Sequence, residues 1–266
     1  MHILVTNDDG VTAPGLLAIA KALRTIADVH VTVLAPDKNW SASGHVKTMN
    51  RPMRVIPTQL ADRSTALACD GAPSDCVALA LMGIVEEPID FVVSGINPNA
   101  NVGLDVTYSG TVTAAMEASI NGRPGFAVSL DAPEYHEGPL DFEGAAKAAV
   151  EVILELFGRY EGELPPPIWN INLPYLPDGS YKGVQFVRQG TRIYHDVVEK
   201  RVDPRGKPYY WIGGLAPTGI EEPGTDYGAI KAGYISITPL VMDMTDVIRL
   251  ARFQSLPFKS KAQTSV

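Results

Sequence analysis

The sequence predicts an α/β fold, a doubly wound and mostly parallel sheet with helices on both faces. Three observations predict it. Short continuous apolar runs recur along the first half of the chain, as in strands covered on both faces. Helix-period patterns alternate with those runs, and repeated strand–helix–strand units mean parallel strands joined by right-handed crossovers. Polar, glycine-bearing loops follow three of the runs, at the strand ends where such sheets bind ligands.

The elements follow in order. His2 to Thr6 reads as a buried strand, and Pro14 opens a helix with Leu16, Ile19, Ala20 and Leu23 at helical spacing. Val29 to Ala35 is a second β-branched run, stopped by Pro36-Asp37. Ser74 to Met82 is a helix, Phe91-Val92-Val93 a short strand, and Ser109 to Asn121 a helix closed by Gly122. Gly125 to Leu130 is a further strand. Asp141 can cap a long helix with Phe142, Ala146, Ala149, Ile153 and Phe157 along one stripe. After the stiff Pro165-Pro166-Pro167, Ile168 to Leu173 and Gly183 to Val187 read as strands. Tyr194 to Gly214 alternates and is aromatic, with Pro204-Arg205-Gly206-Lys207 as its turn, which predicts a hairpin suited to projecting from the sheet. Tyr234 to Pro239 is one more strand, and a short helix lies near Asp243 to Ala251. The polar tail, Gln254 to Val266, is either disordered or docked on a neighbouring subunit.

The chain has 266 residues, which suits one large domain. We divide it into a core of about residues 1–190 and a remainder, about 191–266, holding hairpin, returning strand and tail. Its net charge of −8 argues against binding a nucleic-acid duplex, so an anionic substrate needs a local positive centre. The two cysteines, Cys69 and Cys76, form no disulfide framework and suit a reducing cytoplasm. Cys76 reads as a small buried apolar group. No signal peptide and no membrane-spanning stretch is visible, so a cytoplasmic protein is expected. The five histidines are scattered without HxxxH or HExxH pairing, which favours an oxygen-ligated ion over zinc-type chemistry.

Three loops carry the candidate chemistry. Asn7-Asp8-Asp9-Gly10 ends the first strand; adjacent carboxylates there suit a hard cation, although the same residue types also build plain surface turns. Asp37 to His45 follows the second strand, and Ser94 to Gly103 follows the Phe91 strand. On neighbouring parallel strands all three converge at one edge and offer an all-oxygen half-cage. Ser109-Gly110-Thr111 then opens a helix, either as an ordinary cap or as a phosphate site of exposed amides. Ser43, Gly44 and His45 are candidate substrate contacts, though a lone loop histidine is more often incidental. Arg188-Gln189-Gly190 and Gly224 to Tyr227 can approach the same edge, and Asp226 can equally cap a helix over Tyr227 to Ala232. Tyr209-Tyr210-Trp211 reads as an oligomer contact ahead of a base-stacking surface. Neither GxxxxGK[ST] nor a GxGxxG after the first strand is present, which disfavours P-loop and dinucleotide sites.

These residues resemble the SurE survival-protein family of metal-dependent 5′/3′-nucleotidases. The anchors are Ile3 to Gly10, Ala35-Pro36-Asp37 with Ser41, Asp70 to Val77, Ser94-Gly95-Ile96-Asn97 through Gly103, Ser109 to Val112, Gln189-Gly190 and Ile237 to Leu240. The pattern departs at Ala72 for threonine, Trp40 for arginine and Asn99 for glycine. The resemblance implies one divalent ion, Mg2+ or Mn2+, held by Asp8, Asp9, Ser41 and Asn97. It implies a Rossmann-like core with a projecting hairpin, a carboxyl-terminal segment exchanged between subunits, and a homodimer that can pair into a tetramer. The expected reaction removes phosphate from nucleoside 5′- and 3′-monophosphates, and from short polyphosphate, by a metal-associated water. Asp8 or Asp9 accepts the proton, while Asn97, Ser109, Gly110 and Thr111 hold phosphoryl oxygens. Two rivals stand beside it: an aspartyl-phosphate mechanism, which normally uses DxD rather than adjacent aspartates, and a non-catalytic nucleotide- or metal-sensing module.

Overall fold

All five residues of β1 (His2–Thr6) are buried, because the strand is covered on both faces. Ile3 and Val5 join one apolar cluster and Leu4 another, as the two-residue period of a strand requires. The first cluster is closed by α1 (Pro14–Arg24) and α4 (Glu143–Gly158), the second by α2 (Pro73–Leu79) and α3 (Gly110–Ile120). Burying one such aliphatic side chain is worth about 1.5–3 kcal/mol. The helices approach closely: a Cβ on Gly15 of α1 would lie 2.1 Å from the Ile96 carbonyl oxygen.

The computed structural model describes residues 1–133, 136–176, 178–254 and 256. The remaining strands are β2 (His30–Pro36), β3 (Val55–Gln59), β4 (Thr65–Cys69), β5 (Phe91–Asn97), β6 (Gly125–Asp131), β7 (Ile168–Pro174), β8 (Val184–Phe186), β9 (Arg192–Val202), β10 (Pro208–Gly219) and β11 (Ile235–Leu240). One sheet runs β3-β4-β2-β1-β5-β6-β7-β11-β8, and β9 and β10 pair separately as an antiparallel hairpin. From β4 to β7 every neighbour is parallel. In chain order these strands read third, second, first, fourth, fifth, sixth, so the order reverses between β1 and β5. Ligands bind outside the carboxyl ends at such a switch point.

The expected mostly parallel sheet and separate hairpin are therefore both present. Other details differ. The edge pair β3–β4, antiparallel to each other, was not expected. The helix expected over Ser74 to Met82 ends its α-form at Leu79, and 80–84 widen into a π-turn containing Gly83 at φ 114°. The hairpin is longer than 194–214, and its turn is braced by Asp203, whose Oδ1 accepts from the Arg205 and Lys207 amides, both at 2.8 Å. Phe142, not Asp141, holds the cap position of α4 and makes no side-chain cap bond; Asp141 lies one residue earlier and accepts from the Glu143 amide at 2.8 Å. Thr225, not Asp226, caps α5 (Asp226–Lys231), accepting from the Gly228 amide at 3.2 Å. The short terminal helix is α6 (Val247–Gln254). The exchanged tail expected from Gln254 to Val266 lies almost wholly outside the described residues. Among the described residues no helix is long and apolar enough to cross a membrane.

Candidate metal and phosphate site

The loop after β1 is closed by Asn7, whose side chain is fully buried. Its Nδ2 donates to the Gly10 carbonyl at 3.0 Å, and its Oδ1 accepts from the Gly10 amide at 3.2 Å. Asn7 thus braces the turn and leaves the chemistry to the two aspartates. Asp8 is 3% exposed, whereas Asp9 is partly open to solvent.

The start of α3 meets Asp8. Thr111 Oγ1 donates to Asp8 Oδ1 at 2.6 Å, and Ser109 caps the helix by accepting from the Val112 amide at 3.1 Å. Gly110 is required by space: a Cβ there would lie 2.7 Å from Asp8 Cβ. Burial raises the Asp8 carboxyl above its ordinary range, opposed by the Thr111 hydroxyl and the Thr111 and Gly110 backbone. Asp9 is pushed up to about 6 by burial and then by the Asp8 charge, with Asn39 pulling the other way. Two carboxylates that resist ionising together are the donor set a dication stabilises, since it offsets both desolvation and mutual repulsion. The residues fit a hard divalent ion.

The loop after β2 folds over this pair. The Trp40 amide donates to the Asp8 carbonyl at 2.7 Å, Asn39 Nδ2 donates to Asp9 Oδ1 at 3.3 Å, and Asn39 Oδ1 accepts from the Ser41 amide at 2.8 Å. Asn39 is therefore the bridge that brings Ser41 to the Asp9 side, a role the sequence did not signal. Trp40 supplies no cation, but the Lys38 ammonium lies 5.4 Å from its ring centroid and keeps a positive charge in the loop. Asn97 ends β5, and its Nδ2 donates to the Asn99 carbonyl at 2.5 Å, which leaves Oδ1 as the acceptor for a cation. It reaches this edge because Thr6 of β1 pairs with Ser94 of β5.

The other candidates make contacts elsewhere. The Gly44 amide donates to the Tyr108 carbonyl at 2.9 Å, and Ser43 Oγ lies 3.5 Å from the Gly44 carbonyl. His45 Nε2 sits 3.0 Å from Glu117 Oε2, and Lys47 Nζ lies 3.1 Å from Oε1 of the same carboxylate. Asn121 Nδ2 also donates to that Oε1 at 3.0 Å. Burial pulls the Glu117 carboxyl up, but His45, Lys47 and Asn121 together outweigh it and hold it below the ordinary value. His45 thus fastens its loop to α3 rather than standing free. Sequence reading also missed a buried amide cluster: Asn101 Nδ2 donates to Ser129 Oγ at 2.7 Å, and Asn170 Nδ2 donates to the Asn101 carbonyl at 2.8 Å. Gln189 Nε2 donates to the Gly103 carbonyl at 2.7 Å, a contact to a loop.

Known proteins resemble this chain in sequence and in fold. The family model described as "Survival protein SurE" matches residues 3–196. The "5'-nucleotidase SurE" of Chloroflexus aggregans is 48% identical over 245 residues, covering 92% of this chain and 94% of that protein. The "5'-nucleotidase SurE" of Herpetosiphon aurantiacus is 49% identical over 248 residues, covering 93% and 94%. Among solved structures, the SurE protein from Aquifex aeolicus superposes with TM-score 0.76 at 37% identity, covering 96% of this chain and 98% of that one. The family model spans the loop that carries Asp8 and Asp9, and the chain belongs to the SurE family.

Proposed function

We propose that this chain is a phosphohydrolase that removes phosphate from nucleoside 5′-monophosphates, using one divalent ion, Mg2+ or Mn2+, held by Asp8, Asp9, Ser41 and Asn97. The observation that carries the reading is the Asp8–Asp9 pair, with buried Asp8 seated against the amino terminus of α3. The relatives' shared name, 5'-nucleotidase, supports the phosphatase reaction and the nucleotide substrate. Nucleoside 3′-monophosphates and short polyphosphate extend the proposed range, since both present the same terminal phosphoryl group. A bound ion of this kind polarises phosphoryl oxygens and lowers the pKa of water.

The chain's own residues divide the remaining work. Asp8 is pinned by Thr111 and serves as a fixed anchor. Asp9 is the more open of the two carboxylates, which suits it to take a proton from water. Asn97, Ser109, Gly110 and Thr111 supply dipoles toward the equatorial oxygens, with the helix start favouring the anion. Ser43, Gly44 and His45 would line the path of the nucleoside. A homodimer, able to pair into a tetramer, is supported by exposed Ile212, Leu215 and Trp211 on the hairpin.

The test is a screen of nucleoside monophosphates and polyphosphate with Mn2+, Mg2+ and EDTA, repeated with Asp9→Ala. Hydrolysis should require the ion and fall more than ~100-fold in the variant, with an unchanged circular dichroism spectrum. Near wild-type turnover by Asp9→Ala would sink the assignment.

A further inference from the structure

At the amino ends of the same strands lies a different cluster. His2 begins β1, His30 begins β2, and Glu87 precedes β5, so three neighbouring strands each contribute one side chain. Their ligand atoms all lie within 4.8 Å of one another. We propose that His2, His30 and Glu87 form a second metal site, suited to a borderline transition dication such as zinc.

His2 carries the argument. The residue is 6% exposed, and its buried Nδ1 makes no well-formed hydrogen bond, although the Glu87 and Pro88 backbone lies beside the ring. An unpaired buried polar atom is costly and calls for an explanation. The ring is fixed on its other side, where Nε2 lies 2.9 Å from Thr32 Oγ1. With the hydroxyl accepting from Nε2–H, Nδ1 presents its lone pair toward Glu87, whose Oε2 is 3.9 Å away. The same Oε2 is 2.8 Å from His30 Nδ1. A tetrahedral ion with bonds of about 2.0–2.2 Å separates its ligands by roughly 3.3–3.6 Å, so these two distances bracket the required spacing.

The rings of His2 and His30 are stacked, with centroids 4.4 Å apart and planes at 20°. Closing on an ion requires His30 to tilt, and its exposed side chain is free to do so, as is that of Glu87. The fourth position opens into a depression of about 600 Å³, lined also by Met1, Asp28, Pro88 and Asp90. Two imidazoles and a carboxylate with an open position favour zinc, copper, nickel or iron over magnesium. The second hydrogen bond to a ligating imidazole, here Thr32, orients the ring as metal sites commonly require. The five-residue β1 puts this cluster about 15 Å or more from Asp8, so it is separate from the oxygen-ligand site. An ion here would clip the starts of β2, β1 and the lead into β5, the strands whose other ends carry Ser41, Asp8, Asp9 and Asn97.

Cobalt(II) and zinc titrations of the untagged protein in excess Mg2+ test this. One equivalent of Co2+ should give the intense visible bands of a low-coordinate nitrogen site, and Zn2+ should displace it. His30→Ala and Glu87→Gln should abolish those bands and weaken Zn2+ binding at least ~10-fold, leaving Mg2+-dependent phosphatase activity unchanged. Asp8→Asn should retain the bands. Bands that survive in both His30→Ala and Glu87→Gln overturn the proposal. So does a cobalt–thiolate charge-transfer band, which would assign the ion to Cys69 and Cys76, or the absence of stoichiometric Zn2+ binding in Asp8→Asn.

Discussion

Asp8 and Asp9 are adjacent in sequence yet differ in what holds them. Asp8 is sealed under α3 and bound by Thr111, while Asp9 faces Asn39 and solvent. Thr111→Val should therefore lower Mn2+ affinity by about 10–100-fold while Thr111→Ser retains it, as a metal titration of activity would read out. The Asp9 shift gives a second expectation. Its folded pKa, about 6, lies above the ordinary value of 3.8, so ionising Asp9 costs the metal-free fold stability as pH rises through that window. Calorimetric melts of metal-free protein should fall between those pH values by more in the wild type than in Asp9→Asn, and Mn2+ should restore the difference above pH about 6. The turn Asn7 to Gly10 was legible in the sequence because its chemistry is local. Asn39 was not, since it joins Asp9 to Ser41 from a loop separated by 30 positions and resembles any turn residue.

At the scale of elements, α3 organises the site from both ends. Its first turn meets Asp8, and farther along Glu117, 2% exposed, gathers His45, Lys47 and Asn121. Glu117 has a folded pKa below the ordinary value of 4.5, so its contribution is present above that pH and lost as pH falls beneath it. Glu117→Gln should lower the neutral-pH melting temperature and flatten the decline in acid; an acid branch identical to wild type would show that the carboxylate contributes nothing there. The helix start was readable from Ser109-Gly110-Thr111, but the Glu117–His45 contact spans 72 positions and leaves no periodic trace. The β3–β4 edge escaped for another reason. Pro57 lies inside β3, the outermost strand, where an edge tolerates it, and β4 beside it carries Ala66 and Ala68, which are poor strand markers. β1, β2, β5 and β6 were plain because parallel strands buried on both faces must be continuous apolar runs.

At the scale of the molecule, one buried carboxylate, Asp226, ties the core to the lead into the hairpin, while Asp105 holds the hairpin itself through Tyr194 at 2.7 Å and Arg192 at 2.9 Å. Asp226, fully buried, accepts from the Gly103 amide at 2.8 Å, the Gly190 amide at 2.7 Å and the Tyr227 amide at 2.8 Å. Asp226→Ala should cost about 2–4 kcal/mol in denaturant unfolding by orphaning those amides, whereas Asp226→Glu, which lengthens the same acceptor, should cost less. Beside it, Arg188 bridges Thr225, and the Ile220 amide donates to the Thr191 carbonyl at 3.1 Å. The chain thus leaves and re-enters the sheet at nearly the same point. The excursion from 191 to 219 is an arm hung on a closed clasp, and its length is decoupled from the register of β11. Changes in the arm beyond Tyr194 would therefore alter the surface it presents while leaving this clasp and the Asp8 loop in place.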